Sequence, residues 1–366
     1  MERVIEVERA IALGRLETGG LCVHVQDGWI TRVTKGPCTS AIDATLLPAP
    51  IDLQVNGAGG RAVDEASPEA LGVIAKTVRD GGASAFLPTL ITAQFDALLE
   101  QVTSVVKWIE DKPADGATPL GLHVEGPFLE LAGAHAAQHL VDPTSERVRA
   151  LIETGRGHVK LVTLAPSLPG APEAVAQFVA AGVQVSIGHA ANCDGLQACL
   201  EAGARSATHL FNAMGKLHHR EPGLADRLMD DERATCALIP DRIHVHPIML
   251  RGAFKRLGRE RCILVTDCMA AAGMEPGTYE LGGKQVVLKD GAVRDENGVL
   301  AGSAILMRDA IAVMKVAVPT FGALCIASTT STNPARLLGD DTRGEIAVGK
   351  RAELALLYAD GRFELV

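Results

Sequence analysis

The chain has 366 residues, of which 47% are hydrophobic and 22% charged, with a formal net charge of -9. That length and apolar content support one large domain with a smaller appendage and exclude a disordered chain. The acidic balance excludes a broad nucleic-acid-binding face, although not a local anion pocket.

Charges in the first ten residues interrupt the apolar run a signal peptide needs, and no stretch reaches about 18 uninterrupted apolar residues. A cytoplasmic protein without a membrane span is expected. The eight cysteines (Cys22, Cys38, Cys193, Cys199, Cys236, Cys262, Cys268 and Cys325) show no CxxC spacing, and several fall inside apolar runs. They read as reduced small hydrophobes rather than as disulfides.

In chain order, residues 1–47 read as the N-terminal part of a small β domain, with short strands broken by glycines at turn positions. From about residue 48 the pattern changes to strand-then-helix units, as expected of βα repeats around a parallel sheet. Strands are expected at 46–55, 84–91, 120–126, 159–166, 183–189, 206–211, 234–241 and 262–267. Ser67 and Pro68 give a cap and a first-position proline for one intervening helix; Asp142 and Pro143 precede another, which Gly155 stops. Eight such units fill a (β/α)8 barrel spanning 48–335.

Residues of about 274–300 revert to a glycine-punctuated β pattern, most simply a β-hairpin inserted after the last barrel strand. Residues 336–366 end in strands with a turn at Asp360 and Gly361. Small strand clusters are marginal alone, so both chain ends are expected to combine in one small β-sandwich domain. The expected class is therefore α/β.

The ends of parallel barrel strands converge on one face. Glu125 ends the third run, where Gly126 and Pro127 stop the strand; His189 and His209 end the fifth and sixth, and Asp267 the eighth. Taken singly, each has a plainer reading as a solvated carboxylate or a hydrogen-bonded structural histidine. Together, two imidazoles and one carboxylate form a ligand set that leaves a position for water, the mark of a catalytic rather than structural metal site. Asp267 adds a carboxylate that can take a proton from water and later pass it to a leaving group. These residues point to a metal-dependent hydrolase.

The segments PAPIDLQVNGAGG, LHVEGPFL, AGAHAAQ, SIGHA, THLFNAM, HHREPGL, DRIHVHP, LVTDCMAAAG, LAGSAILM and TNPARLLG run in that order from about residue 48 to 340. With them the chain resembles the amidohydrolase superfamily and, within it, the N-acetylglucosamine-6-phosphate deacetylase family. EGPF, THLFNAM and HHREPG are not general barrel features.

The resemblance implies hydrolysis of N-acetyl-D-glucosamine 6-phosphate to D-glucosamine 6-phosphate and acetate. One divalent metal cation per subunit is implied, with zinc ahead of iron, manganese or cobalt. Glu125, His189 and His209 would be its ligands, and Asp267 the general base and acid. His244 and Arg220 would bind the sugar phosphate, Arg220 reaching across from the partner subunit of a homodimer. Asn212 and Ala213 would add amide and main-chain contacts, and His135 would touch the sugar. His218, His219 and His246 read as packing groups.

Gln54 departs from the His-X-His pair that many amidohydrolases carry on the first strand. Here the segment is Asp52-Leu53-Gln54-Val55-Asn56, which excludes a two-metal site built from first-strand histidines and leaves Gln54 to hydrogen-bond the site or a bound water. Ala132, Ser167 and Arg242 are further departures, at positions where lysine, glutamate and glycine are usual. Cys268, beside Asp267, reads as a buried inert thiol. Two other readings are a deacetylase of the galactosamine epimer or another N-acyl amine, and a non-catalytic barrel scaffold, which would have no need of the four-residue set.

Overall fold

The computed structural model describes residues 2–36, 41–111 and 115–366; Cys38 lies outside them. Eight parallel strands pair in chain order: Ile51–Val55, Ala85–Ile91, Leu122–Glu125, Val159–Leu164, Gln184–Ile187, Ser206–Ala207, Thr235–Leu238 and Cys262–Leu264. Near-continuous burial along them, complete over Ala85–Ile91, follows from helices covering the outer face while side chains fill the inside. The seam between the last and first strands is closed just past their ends. Asp267 N–H donates to the Gln54 carbonyl at 3.0 Å, and the Asn56 and Gly57 N–H groups donate to that of Cys268 at 2.7 and 3.1 Å. The expected barrel is therefore present.

The strands other than Ala85–Ile91 fall short of the runs expected for them, and the sixth is only two residues long. The sixth stops at Ala207, because His209 (φ 27°) and Phe211 (φ 79°) turn the chain into the left-handed region, where a strand cannot continue.

The helix Pro68–Asp80 starts as expected, with Ser67 Oγ accepting from Ala70 N–H at 3.2 Å. Its Leu71, Ile74, Ala75 and Val78, spaced by three and four residues, are buried against the barrel. The helix Ser145–Gly155 is capped by Thr144, which accepts from Arg147 N–H at 3.4 Å.

Segments near the two chain ends share one six-stranded mixed sheet, ordered Phe363–Leu365, Leu354–Tyr358, Ile42–Pro48, Glu2–Ala12, Arg15–Gln26 and Trp29–Lys35. Alternate residues such as Ile5, Val7, Val23, Leu46 and Leu356 pack into a core of their own, apart from the barrel's.

After the last barrel strand, Gly277–Leu281, Lys284–Lys289 and Ala292–Asp295 form a three-stranded antiparallel sheet, one strand more than the expected hairpin. Its Leu281, Val286, Leu288 and Val293 pack on Ile91, Met269 and Ala301, which lays the insert over one side of the barrel mouth. Lys284 Nζ donates to the carbonyls of Ala134 and His135 at 3.2 and 3.1 Å, fastening the insert to the loop after the third strand. Among the described residues, no helix is long and apolar enough to cross a membrane.

Candidate active site

The four strand-end residues meet at the barrel mouth, all buried. Glu125 is the last residue of the third strand, His189 and His209 each lie two past the fifth and sixth, and Asp267 lies three past the eighth. His189 (φ 51°), His209 and Asp267 (φ 50°) all adopt left-handed backbone, a cost of about 1–2 kcal/mol each that histidine and aspartate tolerate better than most residues. Gly126 is required for a separate reason: at φ 87° a Cβ there would stand 2.4 Å from Thr92 Oγ1.

Glu125 Oε1 lies 2.9 Å from His209 Nε2 and 3.2 Å from His189 Nε2, and the two imidazole nitrogens are 3.2 Å apart. Ligands at about 2.0–2.2 Å from a four-coordinate ion stand roughly 3.3 Å from one another, so this triangle fits a metal. His189 Nδ1 donates to the Leu131 carbonyl at 2.7 Å, which fixes the tautomer that turns the Nε2 lone pair inward. His209 Nδ1 is buried and has no hydrogen-bond partner among the described residues.

Burial pushes the Glu125 carboxyl up, but its close contacts with the His189 and His209 imidazoles outweigh it and hold the group well below the usual range. Burial likewise opposes the charged form of His209, yet its bond to Glu125 wins and raises it to about 9. A cation binding these three groups must displace that proton. Asp267 is raised to about 6, first by burial and then by the charge of Glu125. Asn56 Nδ2 donates to Asp267 Oδ1 at 2.7 Å, so the second oxygen is left for proton transfer.

His135 sits beside the triangle, its Nε2 3.7 Å from Glu125 Oε2. One ligand atom each from Glu125, His135 and His189 fits within 4.8 Å. Thr92 decides what His135 can do: its N–H donates to His135 Nδ1 at 3.3 Å and its hydroxyl lies 2.9 Å from the same atom. The ring proton then belongs on Nε2. Burial, ahead of the surrounding charges, lowers His135 to about 3 and keeps the ring neutral, so Nε2 presents an N–H donor rather than a lone pair.

These groups open onto a cavity of about 390 Å³ that Asn212, Ala213 and His244 also line. His244 Nδ1 faces Asp241 Oδ2 at 2.5 Å; burial pushes that carboxyl up, but its bond to His244 outweighs it and leaves the group below its usual range. Gln54 is buried, and its Nε2 has no hydrogen-bond partner among the described residues.

Arg220 is exposed, with Nη1 3.3 Å from His219 Nε2, and does not line the cavity of its own chain. His218 Nδ1 accepts from Glu221 N–H, and His246 Nδ1 caps the helix Pro247–Arg261 through Ile248 N–H, both at 3.2 Å. Ser167 Oγ donates to Glu130 Oε2 at 2.5 Å. Arg242 is exposed and left-handed (φ 68°). Cys268 is buried, which pushes its thiol well up. Cys193, Cys199, Cys236, Cys262 and Cys325 are likewise free thiols.

Asn56, Thr92, Asp241, Leu281 and Arg294 were not singled out from the sequence. Asn56 stood in view as half of the first-strand departure and Asp241 as the end of the expected seventh strand; Thr92, Leu281 and Arg294 reach the site through a loop and an insert whose placement has no local sequence signal.

The amidohydrolase family model matches residues 45–364. The N-acetylglucosamine-6-phosphate deacetylase of Bacillus subtilis is 32% identical over 352 residues, covering 92% of this chain and 89% of the relative. The N-acetylgalactosamine-6-phosphate deacetylase of Escherichia coli O157:H7 is 33% identical over 366 residues, covering 98% and 95%. Among solved structures, an Asp-to-Ala mutant of N-acetyl-D-glucosamine-6-phosphate deacetylase from Mycobacterium smegmatis, in complex with N-acetyl-D-glucosamine-6-phosphate, superposes with a TM-score of 0.89 at 30% identity, covering 98% of this chain and 96% of that one. The chain belongs to the amidohydrolase family. Within that family, these relatives are deacetylases of N-acetylated hexosamine phosphates.

Proposed function

We propose that the protein hydrolyses the acetamido group of N-acetyl-D-glucosamine 6-phosphate, giving D-glucosamine 6-phosphate and acetate. The observation that carries this reading is the Glu125, His189 and His209 triangle with Asp267 beside it at the mouth of the barrel. In this reading the barrel, residues 48–335, is the catalytic unit. Glu125, His189 and His209 hold one divalent cation per subunit; zinc suits the two imidazoles and one carboxylate, and iron, manganese and cobalt are the alternatives. When bound, the ion supplies Lewis-acid polarisation of the acetyl carbonyl and makes water more acidic.

Asp267, ionised, takes a proton from the attacking water as its oxygen adds to the acetyl carbon. It then delivers that proton to the amide nitrogen as the C–N bond breaks, so the amine leaves neutral and no acyl-enzyme forms. Asn56 holds the carboxylate in place for both transfers. His135 donates its Nε2 proton to the sugar, and Asn212 and Ala213 supply amide and main-chain contacts along the same wall. His244 faces the phosphate, and Arg220 reaches it from the other subunit of a homodimer. These contacts place the acetyl carbon against the attacking water. A phosphorylated sugar does not cross a bilayer unaided, so the reaction belongs on the side where the sugar is phosphorylated, which in this reading is the cytoplasm.

The E. coli relative supports a second reading, deacetylation of the galactosamine epimer. Acetate release from the two epimeric phosphates and from unphosphorylated N-acetylglucosamine, with protein of measured metal content, separates the cases. Metal-dependent release from the glucosamine phosphate ahead of its epimer is expected; release from the epimer alone overturns the assignment.

A further inference from the structure

Given the proposed reading, the substrate carries a phosphate dianion into a cavity that already holds two carboxylates, Glu125 and Asp267. Among the described residues lining that cavity, one side chain carries a fixed positive charge: Arg294, from the last strand of the insert. Arg220 has no place there in its own chain. We infer that Arg294 is a further phosphate-binding residue, supplied in cis, which holds the sugar phosphate together with His244 and adds to the contact proposed for Arg220 across the subunit boundary.

The path of the insert supports this. Its turn at Gly291 comes down on the loop that carries His244, since a Cβ built at Gly291 would lie 3.7 Å from Ile243 Cδ1. The following strand then takes Arg294 to the cavity that His244 lines. Arg294 is exposed and spends one donor, Nη1, on the Gly298 carbonyl at 2.7 Å. A guanidinium has five N–H donors, so most of the fork remains for oxygens of an anion. The adjacent Asp295 carboxylate accepts from the Asn297 and Val299 N–H groups at 2.9 and 2.8 Å and is thereby held in its own turn.

The test compares wild type with Arg294→Ala and Arg294→Lys. Charge-assisted hydrogen bonds of this kind are worth about 10- to 100-fold. Arg294→Ala is expected to raise KM for N-acetylglucosamine 6-phosphate by about that factor, with the loss in KM rather than kcat. The kcat/KM preference for the phosphorylated over the unphosphorylated sugar should shrink by the same factor. Lysine should restore only part of it, because a point charge replaces a fork. Calorimetric affinities for D-glucosamine 6-phosphate and inorganic phosphate should fall in parallel, a readout that needs no turnover.

An unchanged KM and unchanged phosphate affinity in Arg294→Ala overturn the inference, as does an equal loss on both sugars, which marks a merely structural arginine. Should wild type fail to deacetylate the phosphorylated sugar, the deacetylase reading fails separately. The binding comparison still decides the role of Arg294, and absence of phosphate binding by wild type sinks it.

Discussion

Asp267 and its neighbours set the terms of the chemistry residue by residue. Replacing Asp267 with Asn keeps the shape and removes the proton acceptor, so kcat should fall by about 10²–10⁴ while metal content stays near wild type; single-turnover kinetics with metal analysis check both. The base works only when ionised. The rate should therefore drop as pH falls through its pKa, held at about 6 by burial and by Glu125, and a bound cation should move that step to lower pH.

The ligand set has its own pH dependence. In the ion-free chain His209 is raised to about 9 by its bond to Glu125, so below that pH a proton competes with the cation for this corner of the triangle. Metal affinity should weaken by up to about tenfold per unit as pH falls from 9 towards 6, and binding should release protons; calorimetry in buffers of different ionisation enthalpy reads this directly. No proton release at pH 7 would remove His209 from the ligand set. At this scale the sequence was informative wherever a functional group ended an apolar run, as Glu125, His189 and Asp267 do. It was silent on Thr92, whose only mark is a place just past a strand, yet which fixes the tautomer of His135 from 43 residues away.

The elements explain why those side chains arrive in register. Asp52 on the first strand accepts from the Thr266 hydroxyl at 2.6 Å and from its N–H at 3.2 Å, binding the first strand to the segment leading to Asp267. Burial, partly offset by the bonds from Thr266, raises its carboxyl to about 7. A raised aspartate makes the folded state bind more protons than the unfolded one, so this group's contribution to stability should be full below about pH 4 and decline as pH rises towards 7. Asp52→Ala removes the acceptor of three buried donors, the N–H groups of Gln54 and Thr266 and the Thr266 hydroxyl, and should cost about 2–4 kcal/mol in denaturant unfolding at neutral pH. Periodicity and turn signals revealed the barrel strands and the capped helix at Pro68. They did not reveal the third strand of the insert or its seat on the barrel mouth, because the contact of Leu281 with Ile91 joins segments 190 residues apart. Lys284 shows the same limit: nothing around it in the sequence marks it as the clasp on the loop of His135.

Across the whole molecule, the barrel and the terminal sheet are built around separate apolar clusters. The terminal sheet has its own core, and the salt bridge from Arg343 to Glu353, two contacts of 2.8 Å, lies far in sequence from the triangle. Arg343→Ala should therefore lower the unfolding midpoint with little change in kcat/KM, as parallel thermal and kinetic measurements would show. A comparable loss of kcat/KM at a temperature where the variant stays folded would mean that the sheet and the site are coupled. The pairing of distant chain ends was expected only on the ground that small strand clusters are unstable alone, and their partners could not be assigned from so weak a signal.

The seam has a further consequence. The triangle comes from the third, fifth and sixth strands, which are joined through consecutive neighbours and do not touch the closing edge. Asp267 and Asn56, by contrast, stand on either side of that edge, and their backbone groups form the bonds that close it. A disturbance of that edge would therefore reach the carboxylate proposed to move the proton while leaving the three proposed metal-binding groups on strands that it does not touch.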